Sequence, residues 1–209
     1  MANIFVLAGV NGAGKSSIGQ HVFQVKGAEV YNPDSVAAQL RSLHPNISHA
    51  LANGHAWTIG RDLLREAIDS GSDYRLETTL GGNTIPRLLR EAAHRGHKIH
   101  AWFCGLRSPE LHLLRIKQHV TEGGHDIPEK KIRERWDSSR KNLIKLLPTL
   151  TQLRVYDNSV EASLRTGEPP KPRLNLDLRK GKVVGPADLI QTPGWAQPIL
   201  AAALELQES

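Results

Sequence analysis

Gly9-Val10-Asn11-Gly12-Ala13-Gly14-Lys15-Ser16 fits the pattern G-x-x-x-x-G-K-[ST] at every fixed position, and Ser17 follows directly. Glycines at these places let backbone N–H groups turn inward as an anion-binding nest at a helix N-terminus. A lysine there reaches the β- and γ-phosphates of a nucleoside triphosphate, and the Ser16 hydroxyl can ligate Mg²⁺. Residues 9–17 are therefore expected to bind ATP, with Lys15 on its phosphates and Ser16 on the metal.

A carboxylate comes next. In a small phosphate-loop fold the end of the second strand faces the γ-phosphate, and Asp34 stands there. It can accept a proton from an attacking hydroxyl, help hold Mg²⁺, or simply cap the helix that follows. Glu77-Thr78-Thr79-Leu80-Gly81-Gly82 ends a later strand with an acid, two hydroxyls and two glycines, a set able to hydrogen-bond a polyhydroxylated acceptor. Arg115 lies on one predicted helix, and Arg133, Arg135 and Arg140 lie on the next. Arginines suit phosphoryl transfer because the transition state spreads charge over equatorial oxygens. Any single one can equally form a surface ion pair.

The elements that must position these residues alternate. An apolar run, Ile4-Phe5-Val6-Leu7, reads as a buried strand entering the glycine loop. Helices are predicted over 16–25, 36–43, 48–70, 85–95, 108–120, 128–147 and 197–206, and strands over 29–31, 74–79, 97–105 and 153–156. In the 48–70 helix, Ile59, Leu63, Leu64 and Ala67 form the expected buried face. Ile132, Trp136 and Leu143 do so in the 128–147 helix, where Arg133 and Arg140 share another face. Residues 123–129 read as a mobile connection, 167–172 as a loop, and 173–184 as an edge hairpin turning at Arg179-Lys180-Gly181. This alternation implies a three-layer α/β/α fold with a mostly parallel sheet of about five strands. It is expected as one domain over 1–209, with the hairpin and last helix extending it from about residue 165.

Composition narrows the class. The chain has 209 residues, 39% hydrophobic and 23% charged, a profile that suits a globular protein. No apolar run approaches the ~20 residues that span a bilayer, and the N-terminus lacks the pattern of a secretory signal, so a cytoplasmic protein without membrane association is expected. Cys104 is the one cysteine and reads as a buried strand residue, and the ten histidines show no metal-ligand spacing. The four tryptophans, Trp57, Trp102, Trp136 and Trp195, read as core or lid packing rather than base-stacking platforms. Residues 86–154 hold 15 Lys+Arg against 7 Asp+Glu, a net +8, whereas each flanking segment carries −1. Such a block favours a phosphate-bearing partner or forms solvated helix faces.

In order along the chain, AGVNGAGKSS, YNPDSVA, LETTLGG, LRSPELHLLRI, GGHDIPEKKIRERW and VYDNS resemble the zeta-toxin-like family of phosphate-loop kinases over roughly residues 3–160. The resemblance implies ATP-dependent phosphorylation of a sugar hydroxyl; characterised zeta toxins phosphorylate UDP-N-acetylglucosamine. It implies Lys15 as the phosphate-binding lysine, Asp34 as the general base, Glu77 and Thr79 as acceptor-binding residues, and Arg115 as the first phosphate-clamping arginine. It also sets the Tyr156–Ser159 stretch, and Asn158 in particular, beside the adenine. The GGHDIPE segment departs from the toxins' lid, so Arg133 is the expected second clamp, with Arg135 and His125 as alternatives. The toxins' acceptor-binding insertions are not evident. A toxin would further imply a small antitoxin partner that blocks the phosphate loop. Two other readings remain at this level: a polynucleotide 5′-hydroxyl kinase, suggested by the basic middle third, and a nucleotide-dependent regulatory ATPase without an acceptor.

Overall fold

The computed structural model describes residues 1–22, 29–121, 126–160 and 172–208. Six strands form one sheet in the order β2-β1-β3-β4-β5-β6. They are β1 (Asn3–Ala8), β2 (Tyr74–Thr78), β3 (Lys98–Gly105), β4 (Gln152–Asp157), β5 (Arg173–Arg179) and β6 (Lys182–Gly185). The first four run parallel, and β5 runs antiparallel to both of its neighbours, β4 and β6. The helices are α1 (Lys15–Val22), α2 (Pro33–Leu43), α3 (His49–Ser70), α4 (Thr84–His94), α5 (Pro109–Thr121), α6 (Glu129–Leu146) and α7 (Gln197–Glu208). Among the described residues none is long and apolar enough to cross a membrane.

Alternation along β1 explains the three layers. Ile4, Val6 and Ala8 enter the main core with residues of α3, α4, α6 and α7, whereas Leu7 packs on the other face with Ile18 of α1, Trp102 and Cys104. A strand buried on both sides must be apolar, and β1 is so from Ile4 to Ala8.

Two sequence expectations change. The predicted strand over 29–31 shrinks to a single parallel bridge between Tyr31 and Leu76 on the outer edge of β2. Pro33 stands two residues on, where the next ladder N–H would be needed, and a residue without an N–H cannot supply it, so the chain turns into α2 instead. The buried face of α3 is built from Ala52, Ala56, Gly60, Leu64, Ala67 and Ile68, and Ile59 and Leu63 are 41% and 38% exposed. Small residues are needed there because Tyr31 lies against the helix. Its hydroxyl donates to Ala56 O, and a Cβ on Gly60 would collide with its ring. The edge hairpin expected over 173–184 forms as β5 and β6, which extend the sheet to six strands through a two-residue turn at Lys180-Gly181. Both turn residues have positive φ (48° and 76°), as a tight hairpin twisted like its strands requires. Residues 23–25 of the predicted 16–25 helix, residues 123–125 with His125, and residues 167–171 lie outside the described residues.

Candidate active site

All four parallel strands end on one side, and the glycine loop leaves β1 there. Gly12 and Gly14 adopt φ of 78° and 81°. At Gly14 the left-handed backbone coincides with a close approach, since a Cβ would meet Nδ2 of Asn158. Asn158 is buried, and its Nδ2 donates to Ala13 O (2.9 Å). Arg115 donates from Nη2 to Asn158 O (2.7 Å), and so lies along the loop beside Gly14. Asn158 and Arg115 therefore brace the loop from behind. His112 adds a third brace through Nδ1 and Asn11 O (2.8 Å). Burial pulls its pKa down from 6.5 to about 4, with Lys15 and Arg115 adding to that against the bond to Asn11. The ring is therefore neutral, and Nδ1 carries the proton. Ser16 and Ser17 are exposed in the first turn of α1.

Lys15 is 7% exposed. Its ammonium donates to Gly9 O (2.9 Å) and Val10 O (3.5 Å) and pairs with Glu77 Oε1 at 3.4 Å. Glu77 Oε2 accepts from Asn32 Nδ2 (3.1 Å). Asn32 does two jobs: its Oδ1 also accepts from the backbone N–H groups of Asp34 and Ser35, making it the N-cap of α2. The cap is thus Asn32 and not Asp34. The Asp34 carboxylate is left exposed at the mouth of the site, with a 3.5 Å contact from Asn11 Nδ2.

The turn after β2 presents Thr78 and Thr79. Their hydroxyls accept from Leu80 N (3.1 Å) and Gly81 N (3.3 Å). Leu80 is buried at φ 52°, an unfavourable conformation for a branched side chain that surrounding contacts must hold. They come from α6: Asn142 Nδ2 donates to Leu80 O (2.7 Å) and Gly82 O (3.1 Å), and Ser138 Oγ donates to Gly81 O (2.9 Å).

One cavity of about 380 Å³ joins these parts. It is lined by Asn11, Lys15, Asn32, Asp34, Glu77 and Thr79, by Asn53, Trp57 and Arg61 of α3, and by Lys131 and Arg135 of α6. Sites at the carboxyl ends of parallel strands are the rule for open α/β sheets.

The structure brings a different arginine of α6 to the cavity from the Arg133 expected from the sequence. Arg133 is exposed, and its guanidinium pairs with Glu110 (2.7 Å) and Glu129 (2.7 Å), away from the cavity. Arg135 is the α6 arginine that enters, donating from Nη1 to Asn11 Oδ1 (2.9 Å). Its burial lowers the guanidinium pKa, while Asp34 and then Glu134 act to raise it. Arg140 stacks on Trp136 at 3.5 Å, donates to the Trp136 and Trp195 carbonyls and pairs with Asp137. Arg154 pairs with Asp177, so several arginines of the basic middle third are already matched by carboxylates.

Cys104 is buried, and its Sγ donates to Ala13 O (2.8 Å). Desolvation pushes the thiol up to about 12, so it remains an unreactive packing residue. Trp102 and Trp195 are buried and Trp136 is half-buried. Trp57 breaks the expected pattern: it is 43% exposed and lines the cavity. Sequence reasoning also missed Asn32, Ser138 and Asn142. Only the Asn32-Pro33 pair carried a local signal, that of a helix start.

Residues 2–167 match the family model described as Zeta toxin. An uncharacterised protein of Haemophilus influenzae is 33% identical over 131 residues, which span 61% of this chain and 88% of that protein. Among solved structures, the AvrRxo1-ORF1:AvrRxo1-ORF2 complex with sulphate ions matches with a TM-score of 0.67 at 15% identity. The match covers 97% of this chain and 64% of that one, so this chain spans less than two thirds of its length. A structure from the PezAT chromosomal toxin–antitoxin system of Streptococcus pneumoniae matches with a TM-score of 0.57 at 15% identity, over all of this chain and 88% of that one.

Proposed function

The chain belongs to the zeta toxin family and has the fold of a phosphate-loop kinase, and from that premise we propose that it transfers the γ-phosphate of ATP to a hydroxyl of a nucleotide sugar, UDP-N-acetylglucosamine being the first candidate. The observation that carries this reading is one cavity that brings the phosphate-loop Lys15, the carboxylates of Asp34 and Glu77 and the guanidinium of Arg135 together.

Lys15 and the loop amides hold the triphosphate, and Arg115 supports the loop beside it. Among the described residues no group of three His, Cys, Asp or Glu can cage a metal. Mg²⁺ in nucleotide enzymes is held by one or two protein oxygens plus phosphates, and the exposed Ser16 hydroxyl suits that set. When bound, the ion would neutralise charge on the β- and γ-phosphates.

Asp34 takes the proton from the acceptor hydroxyl; its carboxylate is free for this because Asn32 caps α2 in its place. Glu77 and Thr79 position the acceptor. Arg135 stabilises charge on the moving phosphoryl group, the role expected of Arg133 from the sequence. An antitoxin that covers the phosphate loop belongs to the same proposal, supported by the toxin–antitoxin system from which one structural neighbour comes.

The test is turnover of MgATP with and without UDP-N-acetylglucosamine, following the sugar by mass spectrometry, with wild type and Asp34→Asn side by side. A phosphorylated nucleotide sugar made by wild type and reduced at least about a hundredfold in the variant is expected. ATP binding without phosphorylated sugar would withdraw this acceptor, and full turnover by Asp34→Asn would withdraw the base.

A further inference from the structure

Asn53, Trp57 and Arg61 stand four residues apart on α3, and so form one stripe that lines the cavity. The helix is held in place from inside. Tyr31 packs its ring on Gly60 and donates to Ala56 O, which ties α3 to the outer edge of β2 beside Glu77. The stripe and the carboxylates therefore belong to one connected wall.

Trp57 is 43% exposed, and the surface it presents is concave. The Arg61 guanidinium sits over its ring, 5.3 Å from the centroid. Asp62 grips that guanidinium in a two-point fork, Nε to Oδ1 at 2.8 Å and Nη2 to Oδ2 at 3.0 Å, which fixes its plane. Indole and guanidinium are both flat and delocalised, and both stack on flat heterocycles.

The cavity thus presents three chemistries: a flat stacking pair at Trp57 and Arg61, an exposed cation at Lys131, and hydroxyl-binding carboxylates at Asp34 and Glu77. A nucleotide has the three complements in one molecule: a base, a phosphate and sugar hydroxyls. A free sugar or sugar phosphate has no flat, delocalised ring to offer both members of the stacking pair. We infer that Trp57, with Arg61 over its ring, is the platform on which the acceptor's nucleobase stacks, and that this platform makes the enzyme select base-bearing acceptors over base-less ones. The inference rests on the kinase reading above and adds to it a specificity-determining residue.

The experiment is equilibrium binding to the full chain with the donor site filled by MgAMP-PNP. The probes are UMP, AMP and UDP-N-acetylglucosamine, with N-acetylglucosamine 1-phosphate and ribose 5-phosphate as base-less controls. The proteins are wild type, Trp57→Phe and Trp57→Ala. At least one base-bearing probe binds wild type more tightly than both controls. Trp57→Ala weakens that probe by about 10- to 100-fold, the range typical of a lost base–aromatic stack, and leaves the controls unchanged. Trp57→Phe stays within about threefold, because a phenyl ring still stacks.

Equal weakening of all probes, no weakening of any, or no preference for base-bearing probes each overturns the platform. Unchanged AMP-PNP affinity in both variants verifies that they are folded, and its loss from Trp57→Ala alone passes the decision to Trp57→Phe and to quenching of tryptophan fluorescence by the probe. Quenching that persists undiminished in the Phe variant overturns the platform. The two readings fail separately. A nucleotide sugar that binds through Trp57 and is never phosphorylated removes the proposed acceptor and keeps the platform. One that is phosphorylated with the same KM by Trp57→Ala removes the platform and keeps the kinase.

Discussion

Replacing Arg135 and Arg133 separately by alanine sets two residues of one helix against each other. Arg135 lines the cavity, is held by Asn11 Oδ1 at 2.9 Å and lies close enough to Asp34 for the carboxylate to act on its guanidinium. In the proposed mechanism its removal deletes a preorganised donor to the transferring phosphoryl group, and such losses cost about 10²- to 10³-fold in kcat, roughly 3–4 kcal/mol. Because the interaction is made in the transition state, kcat and kcat/KM fall together. Arg133 is exposed and tied to Glu110 and Glu129, so its removal leaves kcat within about threefold of wild type. The assay is initial rate of phosphoryl transfer at saturating MgATP, across a range of acceptor concentrations, for wild type, Arg133→Ala, Arg135→Ala and Arg135→Lys. Arg135→Lys keeps the charge and loses the fork, and falls between wild type and Arg135→Ala. A loss of about a hundredfold in Arg133→Ala, with Arg135→Ala within about threefold, would refute the geometric assignment of the clamp.

Two further outcomes follow from the same geometry. Asn142→Ala leaves Leu80 O and Gly82 O without their side-chain donor beneath a left-handed leucine, which costs about 2–4 kcal/mol in urea denaturation; a change below about 0.5 kcal/mol would show that the turn holds itself. His112 makes stability depend on pH. Above 6.5 its ring is neutral folded or unfolded. As the pH falls from 6.5 towards about 4 the unfolded chain takes up a proton that the folded one refuses, so stability is lost across that window. The loss levels off below about 4 at roughly 3 kcal/mol, at about 1.4 kcal/mol per pH unit. His112→Gln, which can still donate to Asn11 O, flattens that part of the profile; an unchanged slope assigns the proton uptake to another group.

Much of the fold was readable because its signals are local. The apolar run of β1, the glycine loop and the serine-proline start of α5 each depend on neighbours a few residues away. The hairpin turn at Lys180-Gly181 was readable for the same reason. The predicted strand over 29–31 failed because Tyr31 makes only one bridge before Asn32-Pro33 diverts the chain. The predicted face of α3 held at Leu64 and Ala67 and failed at Ile59 and Leu63, where apolar size was read as burial. What decides burial there is the Tyr31 ring, which needs Ala56 and Gly60 beneath it, and no periodicity in α3 contains that ring.

The candidate site divides along the same line. The sequence alone determined that a glycine loop stands between a strand and a helix, and that Glu77 and Thr79 stand at the end of a later strand, because glycine φ freedom and strand patterning are properties of short stretches. Only the tertiary structure decided which arginine of α6 enters the cavity, that Asn32 caps α2 and so frees Asp34, and that Trp57 lines a cavity instead of packing in the core. The bond from Arg135 to Asn11 joins residues 124 positions apart, and that from Asn142 to Leu80 joins residues 62 apart. A helix repeats every 3.6 residues and can offer an arginine to several surroundings. Which of them it meets is set by the packing of α6 against the β2 turn and the phosphate loop, and that packing exists only once the sheet has brought their strands side by side.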